Sequence, residues 1–222
     1  MIRLFFALLI LISFGCHSKE VVTGPKIFGS LYVRYLQDGN QLKAEASFFE
    51  GDSAHLATPK SILGGVSFQG SGMERRNIQD KLIRYQYETK CDYPGQFTFQ
   101  VQDDQGQAHQ FQLDMLPVTA FSLPDTIQRG KEAMLEILPA PQSDEVEMAI
   151  LWTDESGKAS LLEFPAPISK TIPISPAQLA RFAPGKYQIY LVKKRKNFIN
   201  TGVYRNSCEV EFYTGVKEVF IN

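Results

Sequence analysis

The stretch PGQFTFQV, residues 94–101, decides the class of fold that this chain adopts. After the Pro-Gly turn, the apolar side chains of Phe97, Phe99 and Val101 alternate with polar ones. Strict alternation is the pattern of a strand with one buried face and one solvated face. A polar turn and a second alternating run, residues 110–115, follow directly. The sequence therefore predicts a β-hairpin here.

The stretch PGKYQIYL, residues 184–191, repeats the same pattern and begins 90 residues after the first. Both copies read Pro-Gly, polar, aromatic, polar, apolar, any residue, apolar. The interval is about the length of one small β-sandwich. We therefore predict two units, residues 26–116 and 117–222, which meet near Leu116-Pro117. One larger sandwich is the alternative.

A Pro-Gly corner before an aromatic-led strand resembles the entry into the penultimate strand of immunoglobulin-like and fibronectin-like sandwiches. The resemblance implies a mainly β fold of two tandem antiparallel β-sandwich domains and identifies no specific family. It places Phe97 and Tyr187 in separate cores. The Cys…Trp…Cys set of true immunoglobulin domains is missing from the sequence, in which Trp152 is the only tryptophan.

Similar alternation predicts further strands along the chain. They are residues 31–37 and 42–48 around the turn Asp38-Gly39-Asn40, and residues 66–68, 82–87, 133–137, 146–152, 161–164, 203–204, 208–212 and 216–221.

One short helix is predicted near residues 176–182. Ser175 can accept a hydrogen bond from the amide of Gln178, Pro176 suits the first helical position, and Gln178 can reach back to the cap. Pro184-Gly185 ends the helix soon afterwards.

The first 15 residues have the pattern of a secretory signal peptide. Arg3 supplies one positive charge, and residues 4–12 are uninterrupted apolar sequence. Nine helical residues rise only about 13 Å, less than half of a ~30 Å hydrocarbon core. The sequence therefore predicts export rather than a membrane-spanning helix.

Ser13-Phe14-Gly15-Cys16 resembles the lipobox of bacterial lipoproteins, in the loose form of the Bacteroidetes. In that family the cysteine thiol receives a diacylglycerol, the chain is cut before it, and the new amine is acylated, for example with palmitate. The resemblance implies a signal peptide at 1–15, lipid on Cys16 and a tether at 16–25. His17 stands where Asp would favour the inner membrane, which points to the outer membrane. An ordinary signal peptide cut elsewhere is the alternative.

Composition excludes some classes of partner. With 23 basic and 24 acidic residues, the chain has a formal net charge of −1 and no global field to recruit nucleic acid. Abundant Phe and Tyr favour a β-rich globular protein.

Cys91 and Cys208 are the remaining cysteines. Outside the cytoplasm a disulfide can persist, but the predicted boundary puts these residues in different units, which favours two separate thiols. No Cys or His spacing suggests a metal site.

The sequence offers little catalytic chemistry, and no catalytic motif or cofactor site is recognised. His17 is assigned to the tether. His109 shares a strand face with Phe111 and is interpreted as lying at the core margin. His55 alone has a suggestive context, Asp52-Ser53-Ala54-His55, for which a plain surface loop is the favoured interpretation.

Four consecutive cations, Lys193, Lys194, Arg195 and Lys196, are followed by Phe198. A hairpin needs only two to five residues to turn, so we expect a long exposed loop at about 194–201 with Phe198 at least partly accessible. The run is either the solvated end of a hairpin or a contact for phosphate or sulfate on an envelope lipid or glycan. We take it as the candidate binding loop.

Together these features predict a lipid-anchored, non-enzymatic envelope protein that binds a partner protein or glycan through its β-sandwich loops. The alternative is an accessory protein or weak enzyme of surface glycan or polymer processing.

Overall fold

A computed structural model describes residues 26–79, 81–141 and 146–222 of the chain. The predicted signal peptide, the lipidation site Cys16 and the tether lie outside the described residues. The described chain is built from strands and one short helix. The strands are β1 (Lys26–Leu36), β2 (Gln41–Gly51), β3 (Thr58–Pro59), β4 (Val66–Phe68), β5 (Ser71–Gly72), β6 (Glu74–Ile78), β7 (Leu82–Lys90), β8 (Gln96–Gln102), β9 (Ala108–Asp114), β10 (Ala120–Ser122), β11 (Thr126–Ile127), β12 (Ala133–Leu138), β13 (Val146–Asp154), β14 (Ala159–Phe164), β15 (Thr171–Ile174), β16 (Gly185–Asn200), β17 (Tyr204–Tyr213) and β18 (Lys217–Ile221), and the helix is α1 (Pro176–Leu179).

The strands form one large sheet and two small ones. The large sheet has the order β11-β18-β16-β17-β1-β2-β7-β6, with β13 and β14 attached through β16 and β3 attached through β2. The small sheets have the orders β5-β4-β8-β9 and β10-β12-β15. Buried side chains of all three sheets form the core. The prediction of a mainly β fold of sandwich type is confirmed.

The two predicted hairpins form because their apolar alternation matches the pleat of a strand. In β1 and β2 every second side chain is buried, and the chain reverses through Gly39 and Asn40, both with positive φ. In β8 and β9, Phe97 pairs with Leu113 and Phe99 with Phe111. Local sequence alone is enough to specify these elements.

Helix α1 begins as predicted but ends earlier. Ser175 and Gln178 form the reciprocal capping box, and Pro176 occupies the first turn. The helix stops at Leu179 rather than near Phe182, because the amides of Arg181 and Phe182 donate to carbonyl oxygens only three residues back, as in a turn. Phe182 is then buried in an aromatic group. Its ring centroid lies 4.7 Å from that of Trp152 and 5.8 Å from that of Tyr187. Among the described residues, no helix is long and apolar enough to cross a bilayer.

The first strand of the chain is joined to one of the last. Strand β1 pairs in parallel with β17, from Ile27 opposite Tyr204 to Leu36 opposite Tyr213. Strand β16 is 16 residues long. Its second half pairs with β17, which in turn pairs with β1 in the sandwich formed by β1 and β2. A second parallel pair, β11 with β18, lies at one edge of the sheet. Alternation within a strand does not reveal its neighbours, so these pairings were not foreseen.

These pairings bear on the predicted boundary near Leu116-Pro117. The buried side chains on both sides of it belong to one connected cluster, which includes both Phe97 and Tyr187. Their ring partners nevertheless differ: Phe97 contacts Phe68 and Tyr93, whereas Tyr187 contacts Trp152 and Phe182. The division into 26–116 and 117–222 therefore stays a prediction about folding units.

Close approach of β1 to β17 depends on one glycine. Gly29 lies opposite Asn206 in the register, and a Cβ at Gly29 would overlap the Oδ1 atom of that buried asparagine. The same Cβ would come within 3.1 Å of the Phe48 ring on β2. Only glycine leaves this space free.

The prediction of a loop at about 194–201 is wrong. Strand β16 continues to Asn200, and only residues 201–203 separate it from β17. Four adjacent cations are tolerated in a strand because successive side chains point to opposite faces, which halves the crowding on each face.

Candidate functional site

Strand alternation divides the four-cation run into two pairs. Lys193 and Arg195 lie opposite the buried Phe212 and Val210 of β17, so they point to the interior face of the sheet. Lys194 and Lys196 point to the other face. The residues predicted as one binding loop thus serve two different environments.

The interior pair holds the end of β9 and the residues after it. Lys193 is only 4% exposed, and its Nζ donates to the carbonyl oxygen of Leu116 at 2.8 Å. Arg195 Nη1 donates at 2.8 Å both to the carbonyl oxygen and to Oδ2 of Asp114. Both cations therefore connect β16 to the end of β9 and the residue Leu116 through hydrogen bonds.

Burial lowers the pKa of Lys193 from its usual 10.5, and the nearby charge of Arg195 lowers it further. Between this lowered pKa and 10.5 the unfolded chain binds more protons than the folded one, so stability gains from Lys193 as the pH rises. We expect the stability of the wild type, relative to that of Lys193→Met, to increase from neutral pH toward 10.5. Urea unfolding of both proteins across this range measures the difference. A difference that falls with pH would mean that the fold favours the ammonium.

The opposite face of the large sheet, here called the outer face, carries charged side chains in a row across six strands. Alternating burial in β1, β2 and β17 places the core side chains on the other side of the sheet. The strand register sets the row side by side as Glu147, Lys194, Glu211, Arg34, Lys43 and Glu88. Lys194 thus belongs to a row that contains both cations and carboxylates, and Lys196 on the same face pairs with Glu147 of that row at 2.8 Å.

Glu211 is the buried centre of this row. Its Oε2 accepts from the hydroxyls of Tyr32 at 2.6 Å and Tyr213 at 3.0 Å, and its Oε1 lies 3.3 Å from Lys194 Nζ. Burial opposes ionisation, but these two hydroxyls and the ammonium hold the pKa of Glu211 below its usual value. Since its oxygens are already engaged, Glu211 is a structural acceptor rather than an acid or base for a substrate.

A cavity of about 290 Å³ opens on the outer face beside Arg34, at the end of the sheet where β1 finishes. Its polar lining consists of Arg34, Gln41, Lys43, Glu88, Thr89 and Lys90. Three cations and one carboxylate give this lining a positive balance. Lys43 is paired with Glu45 at 3.0 Å and Glu88 at 3.2 Å.

Arg34 is the side chain in this cavity that is best placed to meet a ligand. Its Nε is buried and has no hydrogen-bond partner among the described residues. A guanidinium presents a planar fork of donors that matches carboxylate, phosphate or sulfate. The arrangement can therefore receive an anionic group. Sequence reasoning missed it because Arg34, Lys43 and Lys90 lie on three strands, and only the register brings them together.

The histidines considered from the sequence take modest roles. His109 lies half-buried at the core margin, as expected, with Nε2 3.0 Å from Oδ2 of Asp103 and its ring centroid 4.8 Å from that of Tyr204. His55 lies on an exposed loop. His17 lies outside the described residues.

The two cysteines of the described chain are free thiols, Cys91 half-buried and Cys208 buried. Burial raises the pKa of Cys208 to about 11, which disfavours the reactive thiolate. Within residues 26–79, 81–141 and 146–222, no group of three or more His, Cys, Asp or Glu side chains is arranged to hold a metal ion.

The chain matches no protein-family model and no curated protein. Solved structures with a similar arrangement include a cytokine receptor complex, with 8% identity, a TM-score of 0.35 and coverage of 86% of this chain and 94% of that chain. The FN1-FN3 domains of chicken CNTN1 give 6% identity, a TM-score of 0.29 and coverage of 89% of this chain and 65% of that chain. A tetra-tandem repeat from the extending region of a large adhesion protein gives 13% identity, a TM-score of 0.28 and coverage of 87% of this chain and 49% of that chain. This chain thus spans about half of that adhesion-protein chain. The TM-scores of these superpositions are low, so the fold assignment rests on the strand order and the core of this chain itself.

Proposed function

We propose that this protein is a lipid-anchored protein of the cell envelope that binds an anionic group on a partner protein or glycan in the cavity beside Arg34. Lipid on Cys16 holds it to the outer membrane. The observation that carries the binding role is the buried Arg34 Nε without a partner in a positively balanced cavity.

The overall charge supports a local rather than a global mode of recognition. With a formal net charge of −1, the protein does not attract anions at long range, so selectivity comes from the few cations that the register gathers around Arg34. The engaged carboxylate of Glu211 supports binding rather than catalysis on this face.

The partner is sought by affinity purification of the lipidated protein from detergent-solubilised membranes. The wild type should retain a partner protein or an acidic glycan, and Arg34→Met should lose it, because the change removes the guanidinium and keeps an unbranched apolar side chain in place of the arginine stem. Mass spectrometry of the same samples should show acyl mass on an N-terminal Cys16 peptide.

Lys186→Met is the matched control. Lys186 forms an exposed ion pair with Glu218 at 2.8 Å and lies outside the Arg34 cavity. Equal retention by wild type and Arg34→Met would reject the binding site. A mature N-terminus at another residue, without lipid, would reject the anchor.

A further inference from the structure

Three large apolar side chains stand out by their exposure. Leu63 is 78% exposed, Leu56 71% and Phe198 65%, more than any other large apolar residue in the described part of the chain. A folded protein tolerates single exposed apolar residues, so the question is whether these three lie together.

Two of them lie at the end of the large sheet where β1 begins. Lys26, the first residue of β1, is opposite Gly51, and the loop that carries Leu56 follows Gly51 directly. The amide of Ile27 donates to the carbonyl oxygen of Val203 at 2.9 Å, in the turn between β16 and β17. Phe198 is near that turn, on the last residues of β16.

The third is held at the same end by the small sheet. Leu63 precedes Gly64, which packs against Gln102 at the end of β8. Lys60 fixes that region to β2, because its Nζ lies 3.1 Å from Glu50 Oε1 and 3.2 Å from Asp104 Oδ2. We call this end of the protein, with Leu56, Leu63 and Phe198, the tether end.

The predicted tether also enters here. Ten residues, 16–25, separate the start of the mature chain from Lys26, and they span at most about 33–36 Å even when fully extended. If Cys16 carries lipid, the tether end is the part of the sandwich that stays within this reach of the bilayer. The apolar face of an interfacial amphipathic helix lies ~5–10 Å deep in the head-group boundary, and exposed apolar side chains at the end of a sheet can enter the same region.

We infer that the tether end is a membrane-contacting surface, in which Leu56, Leu63 and Phe198 enter the head-group region of the bilayer that holds Cys16. This inference rests on the proposed lipid anchor. It gives the protein a fixed orientation: Arg34 is eight residues along β1 from Lys26, about 26 Å from the tether end, so its cavity lies at the end of the sheet that is farther from the membrane.

Quenching by brominated lipid tests this contact. The lipidated protein is reconstituted into vesicles of phosphatidylcholine and phosphatidylglycerol, with or without brominated phosphatidylcholine. Phe198→Trp and Leu56→Trp should each be quenched at least about two-fold more than the wild type, since an interfacial side chain lies close to the acyl chains. The single natural tryptophan, Trp152, is buried and provides a constant background.

Phe220→Trp is the matched control, because Phe220 is 47% exposed on β18 and pairs with Lys186. That position is twelve residues along β16 from Phe198, or about 40 Å, and its tryptophan should not be quenched. If mass spectrometry shows lipid on Cys16 and both tether-end tryptophans behave like the control, the membrane contact is refuted and the anchor stands. Absence of lipid on Cys16 would overturn the anchor and this contact with it.

Discussion

A chain that ends at Leu116 should fail to fold, although residues 26–116 contain every strand predicted for the first unit. We expect no cooperative transition on heating or in urea and a narrow spread of amide proton shifts. The reason is that β17 and the second half of β16 complete the sandwich around β1 and β2.

The missing side chains are large. Tyr204 lies 5.3 Å from Phe111 between ring centroids, and Phe212 lies 5.0 Å from Tyr93. A buried aromatic removes about 150–250 Å² from water, which at about 25 cal/mol/Å² corresponds to about 4–6 kcal/mol each. That loss approaches the whole stability of a typical domain, about 5–15 kcal/mol. The control is the chain 26–222, which should unfold cooperatively; a cooperative transition in 26–116 would establish it as an independent domain.

Phe97→Ala and Tyr187→Ala should each lower the free energy of unfolding by about 3–5 kcal/mol, the usual cost of emptying a buried aromatic site. Phe97 is fully buried, and Tyr187 is buried with its hydroxyl donating to the carbonyl oxygen of Ala183 at 3.0 Å. Urea denaturation measures both losses. Phe198→Ala, at an exposed position, should change the stability by less than about 0.5 kcal/mol.

The same two positions decide whether the halves of the core act independently. The milder changes Phe97→Leu and Tyr187→Leu allow the double variant to stay folded. Because the two rings share no ring partner, their effects should add to within about 0.3–0.5 kcal/mol. A larger coupling energy would support one larger sandwich rather than two units.

The sequence predicted the strands well because each depends on local alternation. Runs such as 42–48 and 97–101 bury every second side chain in the structure, as a period of two requires. Gly95 and Gly185, the two corner glycines, both have positive φ, but their values, 74° and 150°, differ. The repeat therefore identifies two similar strand entries, not identical turns.

What the sequence did not predict depends on neighbours distant along the chain. The pairing of β1 with β17 and the row through Glu211, Arg34 and Lys43 exist only in the register. The error at Lys193–Lys196 was different, because a signal was present: no Gly or Pro interrupts the chain between Gly185 and Gly202. Charge was taken as evidence of a loop, whereas a continuous strand pattern was the better guide.

The position of β1 has a mechanical consequence for an anchored protein. A partner that is pulled away from the cell would load the protein at its cavity and at the start of β1, so tension would run along the strand. Strand β1 is held on both sides, by β2 through Lys26–Leu36 and by β17 through Ile27–Leu36. The hydrogen bonds to the antiparallel strand β2 run across the strand direction, and those to the parallel strand β17 are slanted to it, so such tension shears both ladders instead of opening them bond by bond. An edge strand at the same attachment point would peel away under far less force.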